Sequence, residues 1–214
     1  MKHTSVSFPC GELMLQGDCC YPDGDSPFPG VILCHPHPLY GGSMNNNVIQ
    51  TLASTLVSRF IIAFIFNFRG VGGSEGSFGD GIDEQEDVIA AIDWLVSRSE
   101  IDADRVGLAG YSFGSIVAAP VACNDARIKA LTLISPALQQ SQINCIKQCD
   151  KPKFLISGSN DYFLPAQKAE MIYKEAAEPK KLKLVSGADH FWLGYEKDIA
   201  EMTADFFNTR LKSG

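Results

Sequence analysis

Gly110-Tyr111-Ser112-Phe113-Gly114 is the stretch on which the reading of this chain turns. It has the pattern G-x-S-x-G, and its flanks give the pattern weight. Asp104-Arg105-Val106-Gly107-Leu108-Ala109, before it, is a short apolar segment that reads as a strand. Ser115-Ile116-Val117-Ala118-Ala119, after it, reads as the start of a buried helix. A serine on a sharp strand-to-helix turn is held away from the backbone with its hydroxyl exposed. The turn crowds its neighbours, so small residues are required two before and two after. Gly110 and Gly114 meet that requirement. The helix start adds free N–H groups and a positive dipole end beside Ser112. The plainer alternative is a glycine-rich turn, which the five residues alone do not exclude.

Outward from this point, strand-like runs alternate with helix-like stretches. Residues 4–8 and 12–21 look like two antiparallel edge strands joined by Pro9-Cys10-Gly11. Residues 30–35 read as a short buried strand. In 45–59, Val48, Leu52 and Leu56 recur every four residues, which predicts a helix, and 60–68 reads as the next strand. Asp83-Glu84-Gln85-Glu86 resembles a capping box opening a helix through Val88, Ile89, Ile92, Leu95 and Val96. Strand 105–110, helix 113–124, strand Ile128–Ile134 and strand 153–157 follow. A helix opened by Pro165, with Ala169, Ile172 and Tyr173 on one face, precedes strand 181–185. A last helix carries Ile199, Met202, Phe206 and Phe207. This alternation predicts an α/β fold in a single domain over 1–214. Its sheet would be mostly parallel and twisted, of about eight strands, with helices on both faces. Active sites of such sheets lie at the carboxyl ends of the strands.

Composition narrows the partners. A hydrophobic fraction of 45% and a charged fraction of 20% are those of an ordinary globular domain. A net charge of -7, with no lysine between Lys2 and Lys129, argues against nucleic acid or an anionic membrane as partner. The apolar run from Phe60 to Phe66 suits a buried strand and is too short to cross a bilayer. No signal-like apolar core follows Met1-Lys2-His3-Thr4-Ser5. Seven cysteines, an odd number, read as reduced thiols of a cytoplasmic protein, structural or incidental. Cys145-x-x-x-Cys149 lacks the C-x-x-C spacing of a zinc site and has no second pair.

A serine hydroxyl needs a general base, and the base needs an orienting acid. Of His3, His35, His37 and His190, only His190 follows the last predicted strand and so lies at the sheet's active end. Asp161 follows strand 153–157 at the same end. Asp189 adjoins His190, and sequence neighbours seldom orient each other's rings well. Asp150 precedes its strand and belongs at the other end. The order Ser112, Asp161, His190 is the order in which a strand-borne serine elbow finds its acid and base.

These residues, with His35-Pro36-His37-Pro38-Leu39-Tyr40-Gly41-Gly42-Ser43-Met44 and Asn67-Phe68-Arg69-Gly70-Val71-Gly72-Gly73-Ser74-Glu75-Gly76, resemble the α/β-hydrolase superfamily. The resemblance runs from Gly30 to the last helix. It points to short, lidless members akin to dienelactone hydrolases and small bacterial serine esterases. Dienelactone hydrolases use a cysteine where this chain has Ser112, so their substrate class does not transfer. Only 135–152 separate strand Ile128–Ile134 from the next, too few residues for the cap domain many members carry.

Two oxyanion donors are required. Phe113 N–H is the first. Pro36 and Pro38 have no N–H, which leaves His37, Leu39 and Tyr40 for the second, with Leu39 preferred. His35-x-His37 reads as a proline-braced turn, since no downstream ligand pattern supports a metal. No cofactor is implied. The glycine-rich loop 70–81 fits neither phosphate-binding fingerprint, and Arg69 is expected to pair with a nearby carboxylate. Tyr40, Phe163, Phe191 and Trp192, with Phe78 and Phe113, are candidates for an apolar substrate pocket or for the core. The expected chemistry is cleavage of small carboxylic esters or thioesters through an acyl-enzyme. Peptidase or amidase action on the same residues, and a non-catalytic binding protein, are the alternatives. Oligomeric state is not legible.

Overall fold

The structure, a computed structural model, describes residues 2–211. Its strands are β1 (Lys2–Cys10), β2 (Leu13–Tyr21), β3 (Phe28–Cys34), β4 (Ile62–Phe66), β5 (Ile101–Tyr111), β6 (Ile128–Ile134), β7 (Lys153–Gly158) and β8 (Lys180–Val185). Its helices are α1 (Asn47–Ser58), α2 (Glu84–Val96), α3 (Phe113–Asn124), α4 (Gln140–Ile146), α5 (Ala166–Glu175) and α6 (Glu196–Arg210). The strands form one sheet in the order β1-β2-β4-β3-β5-β6-β7-β8. β1 and β2 pair antiparallel, as do β2 and β4, and every other neighbouring pair is parallel.

The apolar runs become the central strands because both sheet faces are covered. One face packs Ile32, Phe64, Phe66 and Leu108 with Val88, Ile92 and Leu95 of α2, Val117 and Ala118 of α3, and Ile172 of α5. The other packs Val31, Ile65 and Ala109 with Val48, Leu52 and Leu56 of α1 and Ile199 and Phe207 of α6. Alternate residues of β3 and β4 thus enter different cores, which is why these strands are apolar throughout. Among the described residues no helix is long and apolar enough to cross a membrane.

Four local expectations change. β2 is not an edge strand, because it also pairs with β4. Pro9 and Cys10 belong to β1, leaving Gly11, at φ 59, and Glu12 to make the turn. Phe60 lies outside β4: it is 61% exposed and has φ 59. Asp83 forms no capping box, since it is already helical and its side chain makes no cap bond. The Glu84 carboxylate instead accepts from Gly79 N–H and Gly81 N–H, both at 2.7 Å, and anchors the glycine-rich loop to α2. Arg69 does pair with a carboxylate. Its Nε donates to buried Asp87 Oδ1 at 2.9 Å, and its backbone N–H donates to Oδ2 at 2.9 Å. The helix α4, too short to display a repeat, had no signature in the sequence.

Candidate active site

β5 runs into α3 through Ser112, whose φ of 54° and ψ of -114° are unusual for a residue with a side chain. The glycines on either side are required by space. A Cβ on Gly110 would sit 2.3 Å from Gly114 O, and one on Gly114 would sit 2.2 Å from Cys34 O. Ser115 ties the turn closed, its hydroxyl donating to Gly110 O at 2.9 Å.

The structure brings the three distant candidates together. Ser112 Oγ lies 2.9 Å from His190 Nε2, and His190 Nδ1 lies 2.8 Å from Asp161 Oδ2. Asp161 Oδ1 accepts from Phe163 N–H at 2.9 Å and Leu164 N–H at 2.7 Å. Burial of Asp161 would by itself raise its pKa. The bonds from His190 and Leu164 N–H, the imidazole's charge and the Ser135 hydroxyl outweigh this and hold it below the usual 3.8. A carboxylate so held favours the His190 tautomer with the proton on Nδ1, leaving Nε2 to accept from Ser112. Asp189 shapes the turn after His190 instead, its Oδ1 accepting from Phe191 N–H at 3.0 Å and Trp192 N–H at 2.9 Å. Asp150 is exposed just before β7, opposite the end that carries Asp161.

Two residues that the sequence did not single out hold this arrangement. The Tyr111 hydroxyl donates to His190 O at 2.8 Å and steadies the histidine loop against the elbow. Ser135, buried at the end of β6, accepts from Trp192 Nε1 at 3.1 Å and acts on Asp161. Each contact spans dozens of residues, so no local pattern announces it.

The loop after β3 departs from expectation. Pro38–Tyr40 form a 3-10 turn capped by His37, and Leu39 N–H donates to His37 Nδ1 at 3.2 Å. Tyr40 N–H donates to His37 O at 3.1 Å. Of the three candidate donors, His37 alone has an N–H without a partner among the described residues. The fixed φ of Pro38 starts the turn that aims Leu39 N–H back at the His37 ring. His35 is a clasp: Nδ1 lies 2.6 Å from Pro36 O, and Nε2 accepts from Phe68 N–H at 3.1 Å. Burial lowers its pKa to about 4.

The aromatic candidates divide. The Phe163 ring lies 5.0 Å and the Phe191 ring 5.8 Å from His190, and both are exposed. Tyr40, also exposed, stands 4.7 Å from the His37 ring, which in turn contacts Phe78 at 5.1 Å and Phe113 at 5.0 Å. Trp192 is not a pocket wall. It is fully buried among Ile199, Phe207 and their neighbours, because its φ of 61° turns the chain inward and Ser135 satisfies its indole N–H.

Comparison with known proteins adds family context to this geometry. Residues 12–145 match the family described as X-Pro dipeptidyl-peptidase (S15 family). An uncharacterised protein of Rickettsia prowazekii is 30% identical over 189 residues, covering 85% of this chain and 79% of its own. One from Mycobacterium tuberculosis is 27% identical, and the chain spans 63% of its length. An α/β serine hydrolase homologue from Coxiella burnetii superposes with a TM-score of 0.88 at 30% identity, over 96% of this chain and 97% of its own. A lidless α/β serine hydrolase from Xanthomonas campestris does so at 0.85 and 26%, over 100% and 97%.

Proposed function

The chain belongs to the X-Pro dipeptidyl-peptidase (S15) family and has the lidless α/β-hydrolase fold, and from that premise we propose that it hydrolyses small carboxylic esters through an acyl-enzyme on Ser112. The observation that carries this reading is the relay Ser112 Oγ–His190 Nε2 and His190 Nδ1–Asp161 Oδ2, at 2.9 and 2.8 Å. Ser112 attacks the carbonyl while His190 takes its proton. The imidazolium, held by Asp161, returns the proton to the leaving oxygen, and water completes the second half by the same route. Phe113 N–H at the start of α3 and His37 N–H are the donors this scheme assigns to the developing oxyanion.

The rim supports a free ester over a phosphate-bearing thioester. Loops 35–46, 135–139, 159–165 and 186–195 contain no Lys or Arg. The one arginine of loop 67–83, Arg69, is committed to Asp87. A coenzyme's phosphates would find no free cation there, whereas Leu39, Tyr40, Phe163, Phe191 and Leu193 offer exposed apolar surface. An odd set of seven cysteines suits a reducing, cytoplasmic setting.

Peptidase action is the second reading, favoured by the family's description. The family match includes Ser112 and the His37 loop but ends before Asp161 and His190. The deciding assay compares p-nitrophenyl acetate and butyrate with an X-Pro p-nitroanilide, for wild type and Ser112→Ala. Ester turnover that disappears with Ser112 supports the proposal. Faster anilide turnover establishes the second reading, and undiminished turnover by Ser112→Ala overturns both.

A further inference from the structure

The rim of the Ser112 cleft carries more apolar surface than a small ester covers. Among the described residues eleven large hydrophobic side chains are exposed. Six of them, Leu39, Tyr40, Tyr162, Phe163, Phe191 and Leu193, sit on the three loops that follow β3, β7 and β8. The same loops supply the His37 turn, Asp161 and His190. Phe163 and Phe191 line the cleft, their rings 5.0 and 5.8 Å from the imidazole. Tyr162, Tyr40 and Leu193, at 90%, 87% and 78% exposed, present most of their surface to solvent.

This exposure is built into the loops. Tyr162 and Phe163 lie between buried Asp161 and buried Leu164, and Asp161 Oδ1 fixes their turn by accepting from Phe163 and Leu164 N–H at 2.9 and 2.7 Å. Phe191 and Leu193 flank the fully buried Trp192, so the inward turn of Trp192 sends its neighbours outward. Leu39 and Tyr40 are held on their 3-10 turn by bonds from their N–H groups to His37 Nδ1 and His37 O. Apolar side chains kept in water at this density mark a contact surface. Charge selects what touches it. These loops hold no Lys or Arg, and their two aspartates are engaged, Asp161 by His190 and Asp189 by its own turn. Asp80 and Asp83 stand exposed on the neighbouring loop 67–83, whose Phe78 ring lies 5.1 Å from that of His37. With a net charge of -7 overall, an anionic surface is repelled and an uncharged one is not. Tyr40 and Tyr162, apolar rings with polar tips, suit the boundary between an apolar phase and water.

We propose that this apolar collar docks the protein onto aggregated, uncharged carboxylic esters, and that its preferred substrates are esters presented in droplets rather than dissolved singly. The inference rests on the ester-hydrolase reading and names the phase in which the substrate is met. Only residues 135–152, with the seven-residue α4, separate β6 from β7, so no cap domain has to open before the collar adsorbs. Adsorption through loops that themselves carry Asp161 and His190 places Ser112 directly against the ester phase.

The test pairs flotation with kinetics. Ser112→Ala, which cannot turn over, is floated with sonicated triolein droplets and, separately, with phosphatidylglycerol vesicles. Flotation is expected with triolein and not with phosphatidylglycerol. Wild type is assayed on tributyrin from below its solubility limit to above it, and on dissolved p-nitrophenyl acetate. The tributyrin rate should climb steeply once droplets form, while the acetate follows a single hyperbola. An apolar side chain moved out of water is worth about tenfold in partition, so Tyr162→Ser combined with Leu193→Ser should lower the ratio of emulsified-tributyrin to dissolved-acetate rate at least about tenfold and abolish flotation. Acetate turnover with neither the climb nor flotation overturns this inference alone. No turnover of any ester overturns the hydrolase reading beneath it. Equal binding to phosphatidylglycerol, or flotation unchanged in the double variant, overturns the assignment to the collar. If the double variant does not fold, flotation of Ser112→Ala and the wild-type kinetics decide.

Discussion

Gly114→Ala tests the steric argument from which the whole reading grew. The added Cβ would lie 2.2 Å from Cys34 O, 2.7 Å from Cys34 C and 2.8 Å from His35 O. Restoring an ordinary contact of 3.4 Å requires the backbones to part by 3.4 minus 2.2, or about 1.2 Å. Neither β3 nor β5 yields readily, because Cys34 is registered against Gly110 in the parallel pair. The movement therefore falls on the start of α3, which carries Phe113 N–H, and on Ser112. A misplacement of about 1 Å at a reacting centre costs about 100-fold in rate, and overpacking costs about 1–3 kcal/mol. Gly114→Ala should label with a fluorophosphonate at least about 100-fold more slowly than wild type and unfold at lower urea. Gly11→Ala is the control. Its φ is +59 and nothing lies within 4 Å of the added Cβ, so it should cost about 1 kcal/mol of backbone strain and leave labelling unchanged. A Gly114→Ala protein with wild-type urea midpoint and wild-type labelling would refute the reasoning.

Three further outcomes follow from particular contacts. Asp161→Asn should keep the fold yet lose about 10⁴ in kcat for an ester, because the amide cannot hold the same imidazole tautomer; activity within tenfold of wild type would remove Asp161 from the relay. Trp192→Ala should lower unfolding free energy by about 3–5 kcal/mol in urea, whereas Phe191→Ala should stay within about 0.5 kcal/mol and raise KM for longer acyl esters. The reverse pattern would return Trp192 to the pocket. His35 has a pKa of about 4 in the fold against 6.5 for the free side chain, so below pH 6.5 the unfolded chain binds a proton that the native one refuses. Stability should decline between pH 6.5 and about 4 by about 3 kcal/mol from this group, and His35→Gln should flatten that part of a urea-midpoint profile; an unchanged slope would show that His35 is not the titrating group.

The elements were legible because periodicity is local. Val48, Leu52 and Leu56 face one core because successive turns of a helix stack, and the continuous apolar run of β4 follows from burial on both faces. Ser112 was legible for the same reason, its steric demand being met within five residues. Asp161 and His190 followed from one topological rule, that residues after parallel strands share an end of the sheet. Asp83 was misread because the N-terminus of α2 is completed by loop amides meeting Glu84, which no spacing of residue types reveals.

By itself, then, the amino-acid order determined the layered α/β architecture, the serine elbow and the end of the sheet where the chemistry gathers. Each of these is set by contacts close in sequence or by handedness and strand order. The tertiary structure alone decided the partners of Leu39 and Tyr40 N–H in the turn after β3, the inward turn of Trp192 onto Ser135 and the brace from Tyr111 to His190. Those depend on dihedral angles and on packing between distant segments. Residue type limits such contacts, but only the folded backbone aims them.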